Sequence, residues 1–249
     1  MCLIVFAWRP GHATPLVLAA NRDEFYARPS RPLAAWPEAP DVHAGRDLEA
    51  GGTWLGVGPG GRVAAVTNIR DPRQPPGRRS RGELPAGFLL GALSPEAYLE
   101  QVAERAQDYT GFNLLAGTAG ELWYYHAREA APRRLPAGLY GLSNAALDTP
   151  WPKLRRAKAA LAECLGTPQA ECLLAAVHDT QPAADAELPD TGVGLVRERL
   201  LSSVFIVSAD YGTCSSTALI LRADGSVELL ERRFGPCGAR LGEVKLDLP

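Results

Sequence analysis

The stretch MCLIVFAWRPGHATPLVLAANRDEF, residues 1–25, decides how this chain begins to fold. Two apolar, β-rich runs, Cys2–Trp8 and Pro15–Ala20, lie on either side of the turn-forming letters RPGHAT. This arrangement predicts a β-hairpin. Because the end of the second strand of a hairpin lies beside the start of the first, the polar residues 21–23 should lie next to Cys2.

The rest of the chain alternates between predicted runs of strands and predicted pairs of helices. Apolar runs bounded by turn letters predict strands over residues 53–58, 62–68, 112–117, 121–126, 138–144, 203–208, 213–222 and 226–233. Capping residues predict helices that start at Ser80, Ser94 and Thr167, and a further helix is predicted near Trp151. The proline-punctuated segments 21–52 and 181–194 predict irregular loops.

This order of elements predicts an α+β fold, because the strands come in runs and do not alternate singly with helices. Two stacked antiparallel sheets between two helical layers, a four-layer αββα sandwich, would house this number of strands. The sequence shows no internal repeat, coiled coil or linker, so we predict a single domain over residues 1–249.

Composition limits the classes of partner. The chain has 249 residues, of which 46% are hydrophobic, and a net charge of −2. This balance gives no general attraction to nucleic acid or to an anionic membrane surface. No apolar run reaches the ~18 residues of a transmembrane segment, and no signal peptide is visible, so we expect a cytoplasmic protein.

The cysteines and histidines do not form a recognisable metal or redox motif. Five cysteines, an odd number with scattered spacing, favour free thiols in a reducing compartment: Cys2, Cys164, Cys172, Cys214 and Cys237. The four histidines are isolated in sequence and lack metal-ligand spacing: His12, His43, His126 and His178. Neither a metal nor a cofactor is therefore predicted.

Cys2 has two competing interpretations. It is either a small apolar residue in a buried strand, or it becomes the first residue when Met1 is removed. In the second case one residue carries a thiol with an ordinary pKa of ~8.5 and an α-amino group with a pKa of ~7.7–8.0. Nucleophile and general base are then combined in a single residue, as in enzymes that use an N-terminal nucleophile.

Arg22 and Asp23 are the predicted partners of Cys2. The Arg22 guanidinium would favour the thiolate, and the Asp23 carboxylate would accept a hydrogen bond from the α-ammonium group and orient it. The alternative is a surface ion pair worth less than ~1 kcal/mol. Trp54 is predicted to fill the core or to form a pocket wall, and Cys214 to be a residue of the strand core.

Several motifs in a fixed order resemble the NRDE family, named for its Asn-Arg-Asp-Glu motif: MCLIVFAW, LAANRDEFYARPS, GGTWLGV, AAVTNIRDP, RGELPAGFLL, GFNLLAG and YGLSNAALDTPWPKL. The resemblance runs from Met1 to about Leu154 and resumes weakly near the C terminus. It implies an αββα fold of the N-terminal nucleophile hydrolase type, close to the cysteine branch of penicillin V acylases and bile salt hydrolases. Cys2, Arg22 and Asp23 match the catalytic pattern of that branch.

The resemblance also implies that two asparagines bind the substrate or the oxyanion. Asn68, at the end of AAVTN, and Asn144, in LSNA, are the matching residues. Their alternative role is turn formation, which is common for asparagine at strand ends. The late catalytic arginine of the acylases has no single counterpart, since Arg222, Arg232 and Arg233 are all candidates.

These residues predict an N-terminal nucleophile-type hydrolase or acyltransferase that acts on an amide or thioester through Cys2. The expected partner is a small-molecule acyl substrate. The alternative is a non-catalytic protein that binds and carries haem, a lipid or an acyl-CoA on the same fold, a role suggested for eukaryotic members of the family. The basic run DPRQPPGRRSR, residues 71–81, is interpreted as a solvated loop that could meet an anionic substrate such as CoA.

Overall fold

The structure, a computed structural model, describes residues 2–249. Its strands form two antiparallel sheets. In chain order the strands are β1 (Cys2–Trp8), β2 (Leu16–Phe25), β3 (Ser30–Trp36), β4 (Ala39–Asp47), β5 (Leu55–Gly58), β6 (Arg62–Asn68), β7 (Phe112–Gly117), β8 (Leu122–His126), β9 (Arg133–Arg134), β10 (Gly138–Leu142), β11 (Tyr211–Leu221), β12 (Val227–Phe234) and β13 (Arg240–Leu248).

The first sheet grows outward from the predicted hairpin. Its spatial order is β10-β1-β2-β11-β12-β13, and all neighbouring strands run antiparallel. In the β1–β2 ladder Cys2 pairs with Arg22, which confirms that the hairpin brings the NRD letters beside Cys2. The next strand, β11, places Ser215 opposite Arg22. The second sheet has the order β3-β4-β5-β6-β7-β8-β9.

Side chains of β1 alternate between two cores. Ile4 and Phe6 pack between the two sheets, whereas Leu3 and Val5 pack against helices. All four are at most 2% exposed, and burial of a large apolar side chain contributes about 1.5–3 kcal/mol. An apolar run with both faces buried explains why β1 reads as continuously hydrophobic.

Two helical layers cover the outer faces of the sheets. The helices are α1 (Glu83–Leu90), α2 (Pro95–Ala103), α3 (Pro152–Glu163), α4 (Ala170–Ala176) and α5 (Leu195–Leu201). Helices α3 and α4 pack on the first sheet, and α1 and α2 pack on the second. The predicted four-layer αββα sandwich is confirmed. No helix within residues 2–249 is long and apolar enough to cross a lipid bilayer.

The prediction of an irregular segment over residues 21–52 was wrong, because β2 continues to Phe25 and β3 and β4 follow. Strand β3 lies at the edge of its sheet, contains Pro32, and pairs with β4 through two register shifts. An edge strand tolerates proline because one side of its backbone needs no donor. Pro32, one of the prolines that indicated a loop, therefore lies in an edge strand.

Three further differences concern the C-terminal third. Residues 203–208 are not a strand: Val204 O accepts from Asn21 Nδ2 at 2.9 Å, and Phe205 N–H donates to Asp179 O at 2.8 Å. Helix α5 was not predicted, because it is short and no side chain caps its N terminus. Strand β13 is an edge strand without a fully buried residue, and its charged residues interrupt the apolar pattern from which a strand is predicted.

The prediction of five free thiols was also wrong. Cys164, just after α3, forms a disulfide with Cys172 in α4, and their Cα atoms are 5.9 Å apart. Both helices pack on the same sheet, which brings the two cysteines into bonding distance. Cys2, Cys214 and Cys237 remain free thiols. The disulfide removes the argument from free thiols for a reducing compartment.

Candidate active site

Cys2 lies at the start of β1, where the space between the two sheets opens to solvent. Its side chain and that of Arg22 share one face of the first sheet, since the two residues pair across the β1–β2 ladder. Both line a cleft of about 490 Å³ together with Trp54 and Asn68, here called the Cys2 cleft. Cys2 is a partly exposed residue and lines this cleft, although its thiol group is itself largely surrounded by protein.

Arg22 is held from two directions. Its guanidinium carbon lies 4.3 Å from the centroid of the Trp54 ring, and its Nη2 lies 4.0 Å from Asp47 Oδ2. The same oxygen of Asp47 is bound more closely by Arg28 Nε, at 2.8 Å. The charge of Arg22 is therefore oriented but incompletely neutralised, and it can stabilise a nearby anion. Trp54 forms a wall of the cleft, which is one of its two predicted roles.

The surroundings of the Cys2 thiol disfavour the thiolate. Burial raises the pKa of the Cys2 thiol, and the Asp23 carboxylate acts in the same direction. The Arg22 guanidinium and a hydrogen bond from the Asp23 backbone N–H to the sulfur oppose this effect and lower the pKa. A thiol of this kind needs a base close by before it can react as a nucleophile.

Asp23 projects to the opposite face of β2, toward the helices, and is 1% exposed. Its Oδ1 accepts a hydrogen bond from Thr213 Oγ1 at 2.8 Å. Burial raises the pKa of the Asp23 carboxyl, and the Lys153 ammonium opposes that rise. Asp23 is thus close to the Cys2 backbone, while its carboxylate lies on the side of the sheet where the buried Lys153 ammonium is found and not on the side of Arg22.

Lys153 is a charged residue of this region that the sequence did not reveal. It occupies the first turn of α3 and is 1% exposed. Burial lowers the pKa of Lys153 to about 8, and the Asp23 carboxylate raises it. The signal in the sequence is a lysine immediately before Leu154, on the face of α3 that packs against the first sheet.

Asn21 and Glu24, the outer letters of the NRDE motif, have other roles. The Asn21 side chain is buried, donates to the carbonyl oxygens of Val177 and Val204, and accepts from Ser216 Oγ at 2.6 Å. It therefore ties β2 to the helical layer. Glu24 lines the Cys2 cleft, and its Oε1 accepts from the backbone N–H of Phe25 at 2.8 Å.

The two predicted asparagines form a direct pair. Asn144 Nδ2 donates to Asn68 Oδ1 at 2.9 Å and to Asn68 O at 3.1 Å. Asn68 lines the Cys2 cleft, whereas Asn144 lines a neighbouring cleft of about 590 Å³ that does not contain Cys2. Because Asn68 Oδ1 is occupied by Asn144, Nδ2 of Asn68 is the amide donor that remains for a ligand.

A buried polar network lies behind this pair, and no role was predicted for its residues from the sequence. Tyr124 Oη donates to Asn113 Oδ1 at 2.7 Å, and Asn113 Nδ2 donates to Thr67 Oγ1 at 3.0 Å. Thr67 Oγ1 in turn donates to Ser143 O at 2.6 Å. These bonds join β6, β7 and β8 of the second sheet to the end of β10 in the first, so they fix Asn144 relative to Asn68.

Ser143 connects the network to the nucleophile candidate. Its Oγ lies 3.2 Å from Asn144 Oδ1 and 3.2 Å from Cys2 O. The motif GFNLLAG, which contains Asn113, was recognised in the sequence as a family motif without a role. Its asparagine is 0% exposed. An amide residue within an otherwise apolar predicted strand is the sequence signal that could have identified it, because a buried amide needs hydrogen-bond partners.

A largely apolar groove of about 560 Å³ adjoins the Cys2 cleft, and Glu24, Asn68 and Arg81 line both. Its apolar wall consists of Phe25, Ile69, Val193, Leu200, Leu201 and Tyr211. We call it the apolar groove. An elongated ligand whose polar end lies at Cys2 would have an apolar surface available beside it.

The three candidates for a late arginine occupy different surroundings. Arg222 is paired with Glu228 at 2.9 Å, and Arg232 is paired with Glu243 at 2.7 Å. Arg233 pairs with Ser215 in the β11–β12 ladder, on the cross-strand row that also contains Arg22. Within residues 2–249, no group of three or more His, Cys, Asp or Glu side chains is arranged to hold a metal ion.

Comparison with known proteins identifies the family. A family model described as Transport and Golgi organisation 2 matches residues 1–236. The chain belongs to the Transport and Golgi organisation 2 family. The human Transport and Golgi organization protein 2 homolog is 37% identical over 255 residues, which cover 93% of this chain and 92% of the human protein. The Drosophila melanogaster Transport and Golgi organization protein 2 is 28% identical over 269 residues, with coverage of 93% and 91%.

The fold of this Transport and Golgi organisation 2 family member is similar to that of a solved hydrolase. The Caenorhabditis elegans N-acylethanolamine-hydrolyzing acid amidase ortholog superimposes with a TM-score of 0.51 at 11% sequence identity. The match covers 88% of this chain and 92% of the amidase. The resemblance to the NRDE family and to the N-terminal nucleophile hydrolase fold is thereby confirmed.

Proposed function

We propose that this member of the Transport and Golgi organisation 2 family is an N-terminal nucleophile-type hydrolase or acyltransferase that acts on an amide or thioester. One observation carries the proposal: Cys2 is partly exposed in a cleft that it shares with Arg22 and Asn68. A cysteine that served purely as core packing would not need a cleft, a cation and an amide donor beside it.

The proposed general base is the nitrogen of Cys2 itself. Removal of Met1 converts this nitrogen from an amide, which is not basic, into an amine with an ordinary pKa of ~7.7–8.0. The amine takes the proton from the thiol, whose pKa is raised by burial. Asp23, which lies near the Cys2 backbone, accepts a hydrogen bond from the resulting ammonium group and keeps it oriented.

The acyl transfer then proceeds in two balanced steps. The Cys2 thiolate forms a C–S bond to the acyl carbon, and the negative charge moves to the carbonyl oxygen. The C–N or C–S bond to the leaving group breaks as the ammonium group returns its proton to that group. Water or another nucleophile next forms a bond to the acyl carbon of the acyl-cysteine while the Cys2 amine takes its proton. The new C–S bond then breaks, the proton passes from the ammonium group to the sulfur, and the acyl product leaves the restored thiol.

Asn68 is the proposed donor to the oxyanion, and Asn144 is the residue that positions it. The Asn144–Asn68 hydrogen bond leaves Nδ2 of Asn68 as the donor on the side of the Cys2 cleft. Loss of a single oxyanion donor costs about 10²–10³ in rate in well-studied hydrolases. The substrate class is supported by the fold, since the amidase that superimposes on this chain is named for hydrolysis of N-acylethanolamines.

The alternative function is a carrier for a lipid, an acyl-CoA or haem, as the names of the relatives refer to transport. The apolar groove beside Cys2 is the observation that favours it, because such a groove can hold an apolar ligand without reacting with it. The two functions differ in one measurable respect: the hydrolase forms a covalent acyl-cysteine at Cys2, and the carrier does not.

The test combines the mass of the intact protein with an acylating probe. We expect the purified chain to lack Met1 and to gain one acyl group on Cys2 when treated with an activated acyl ester. Cys2→Ala should abolish this label, while Cys237→Ser, which removes an exposed free thiol, should retain it. A functional protein that keeps Met1 would contradict the proposal. Haem titration that shifts the Soret band, without acylation of Cys2, would favour the carrier.

A further inference from the structure

Two arginines of the Cys2 cleft, Arg78 and Arg81, form no ion pair among the described residues; Arg78 is exposed to solvent and Arg81 is half-buried. Arg22 and Arg28 both contact Asp47, whereas Arg81 makes no ion pair within residues 2–249. The hydrogen bond of its side chain runs from Nη1 to Gly111 O and is long, at 3.4 Å. Arg81 therefore brings a positive charge to the cleft that the protein itself leaves largely unsatisfied.

The backbone around Arg81 is fixed by close packing between two loops. The Thr53 N–H donates to Gly82 O at 2.9 Å, and the Leu84 N–H donates to Arg81 O at 3.1 Å. A Cβ atom at Gly52, where φ is +77°, would lie 2.3 Å from Gly82 O. The backbones of the motifs GGTW and RGELP thus pack directly against each other, and this contact holds Arg81 at the edge of the cleft.

The position of Arg81 suits a ligand that reaches Cys2. Arg81 lines both the Cys2 cleft and the apolar groove. Burial lowers its pKa, while Cys2 and Glu24 raise it and Arg28 lowers it further, so these groups all lie within electrostatic range. Glu24 is engaged by the Phe25 N–H and forms no ion pair with Arg81.

We propose that Arg81 forms an anion-binding subsite beside Cys2 that receives a carboxylate or phosphate group of the substrate. The inference rests on the proposed function for the role of Cys2, and it names the substrate as an acyl compound that carries an oxyanion. A guanidinium offers paired donors that match the oxygens of carboxylate and phosphate. The apolar part of the same substrate would lie in the apolar groove on the other side of Arg81.

The first test measures anion binding without reference to the reactivity of Cys2. Inorganic phosphate, compared with chloride at equal ionic strength, should raise the melting temperature of the wild-type protein in a saturable manner. Arg81→Gln should lose this rise, and Arg81→Lys should keep part of it. The control is Arg78→Gln, because Arg78 also lines the cleft without an ion pair but is exposed to solvent. Equal phosphate effects in wild type and Arg81→Gln would overturn the proposal.

The second test places the anion next to the thiol. Iodoacetate and iodoacetamide alkylate the same sulfur and differ in charge, so the ratio of their rates at Cys2 reports a cation near the reacting atom. We expect Arg81→Gln to lower this ratio about fivefold and Arg78→Gln to change it by less than about twofold. Inhibition of the iodoacetate reaction by acetate alone would indicate a carboxylate ligand, and inhibition by phosphate alone would indicate a phosphate ligand.

The outcomes separate this proposal from the proposed function. A ratio that is unchanged in Arg81→Gln, or that falls equally in Arg78→Gln, would overturn the Arg81 subsite while leaving Cys2 as a nucleophile. If iodoacetamide fails to label Cys2 at all, the proposed function is contradicted, and the phosphate-dependent melting temperature still decides whether Arg81 binds an anion.

Discussion

Glu231 in β12 provides a stability prediction with a defined magnitude. It is 2% exposed between the sheets, and its Oε1 accepts a hydrogen bond from the Leu33 N–H of β3 at 2.8 Å. Burial raises the pKa of Glu231 from 4.5 to about 7, although the Leu33 N–H and the guanidinium groups of Arg233 and Arg22 oppose the rise. The carboxyl group is therefore neutral in the folded protein over a range where the unfolded chain is ionised.

The sign of the pH dependence follows from proton binding. Between pH 4.5 and about 7 the unfolded chain releases the proton of Glu231 and the folded protein keeps it. The free energy of unfolding must then fall as the pH rises through this window. The interval from 4.5 to about 7, at about 1.36 kcal/mol per pH unit, corresponds to about 3 kcal/mol.

Glu231→Gln isolates this contribution, because glutamine keeps the acceptor for the Leu33 N–H and does not titrate. Urea unfolding should be measured for both proteins at pH 4.5 and at pH 8. We expect the wild type to lose about 3 kcal/mol more than Glu231→Gln between these two pH values. Other titrating groups are common to both proteins and cancel in the comparison.

The control is Glu228→Gln in the same strand. Glu228 forms ion pairs with Arg222 at 2.9 Å and Lys245 at 3.3 Å near the surface. Its substitution should change the same difference by less than about 1 kcal/mol. A difference between the two proteins that is below about 1 kcal/mol, or a wild type that gains stability relative to Glu231→Gln between pH 4.5 and pH 8, would show that Glu231 is already ionised in the fold.

Three other predictions test the surroundings of the site. Tyr124→Phe leaves Asn113 Oδ1 and the Leu147 N–H without their partner and should cost about 2–3 kcal/mol in urea unfolding, whereas Tyr125→Phe should cost less than about 1 kcal/mol. Lys153→Met leaves the buried Asp23 carboxylate without the cation that most strongly lowers its pKa. We expect the free energy of unfolding to fall by about 3 kcal/mol at pH 7, and by less at lower pH, where Asp23 becomes protonated. A loss of stability that does not depend on pH would contradict this. Cys172→Ser removes the disulfide that closes a short loop, with a sequence separation of 8, and should lower the free energy of unfolding by about 2.5 kcal/mol. A reductant should destabilise the wild type by the same amount and leave the variant unchanged.

The wrong sequence predictions share a physical cause. Pro32 indicated a loop because proline interrupts a central strand, and β3 escapes this constraint by lying at the edge of its sheet. Residues 203–208 indicated a strand because they are apolar, and their burial beneath the helical layer needs no strand partner. In each case the residue types indicate that a segment is buried or that its backbone is restricted. They do not indicate which distant part of the chain supplies the hydrogen-bond partners of that backbone.

The same limit applies to the site. The hairpin rule placed Arg22 beside Cys2 because both residues lie within one local unit, and the β1–β2 register confirms it. Asn113, Lys153 and Arg81 could not be placed in this way. Asn113 also donates to Ala145 O beyond β10, Lys153 lies near Asp23, and Arg81 lines the cleft of Cys2, so each meets residues far away in the chain. Asn68 and Asn144 were named from family motifs, and their direct hydrogen bond is a property of the assembled sheets.

The sequence by itself determined the αββα class, the first hairpin and the meeting of Cys2 with the NRD letters, because strand periodicity and antiparallel geometry act over short chain distances. The tertiary structure alone decided that the Asp23 carboxylate lies near the Lys153 ammonium, that Asn144 orients Asn68, and that Arg81 lines the Cys2 cleft without a carboxylate partner. Charges and hydrogen bonds depend on atoms a few ångströms apart, and residues far apart in the chain come that close once the layers have packed.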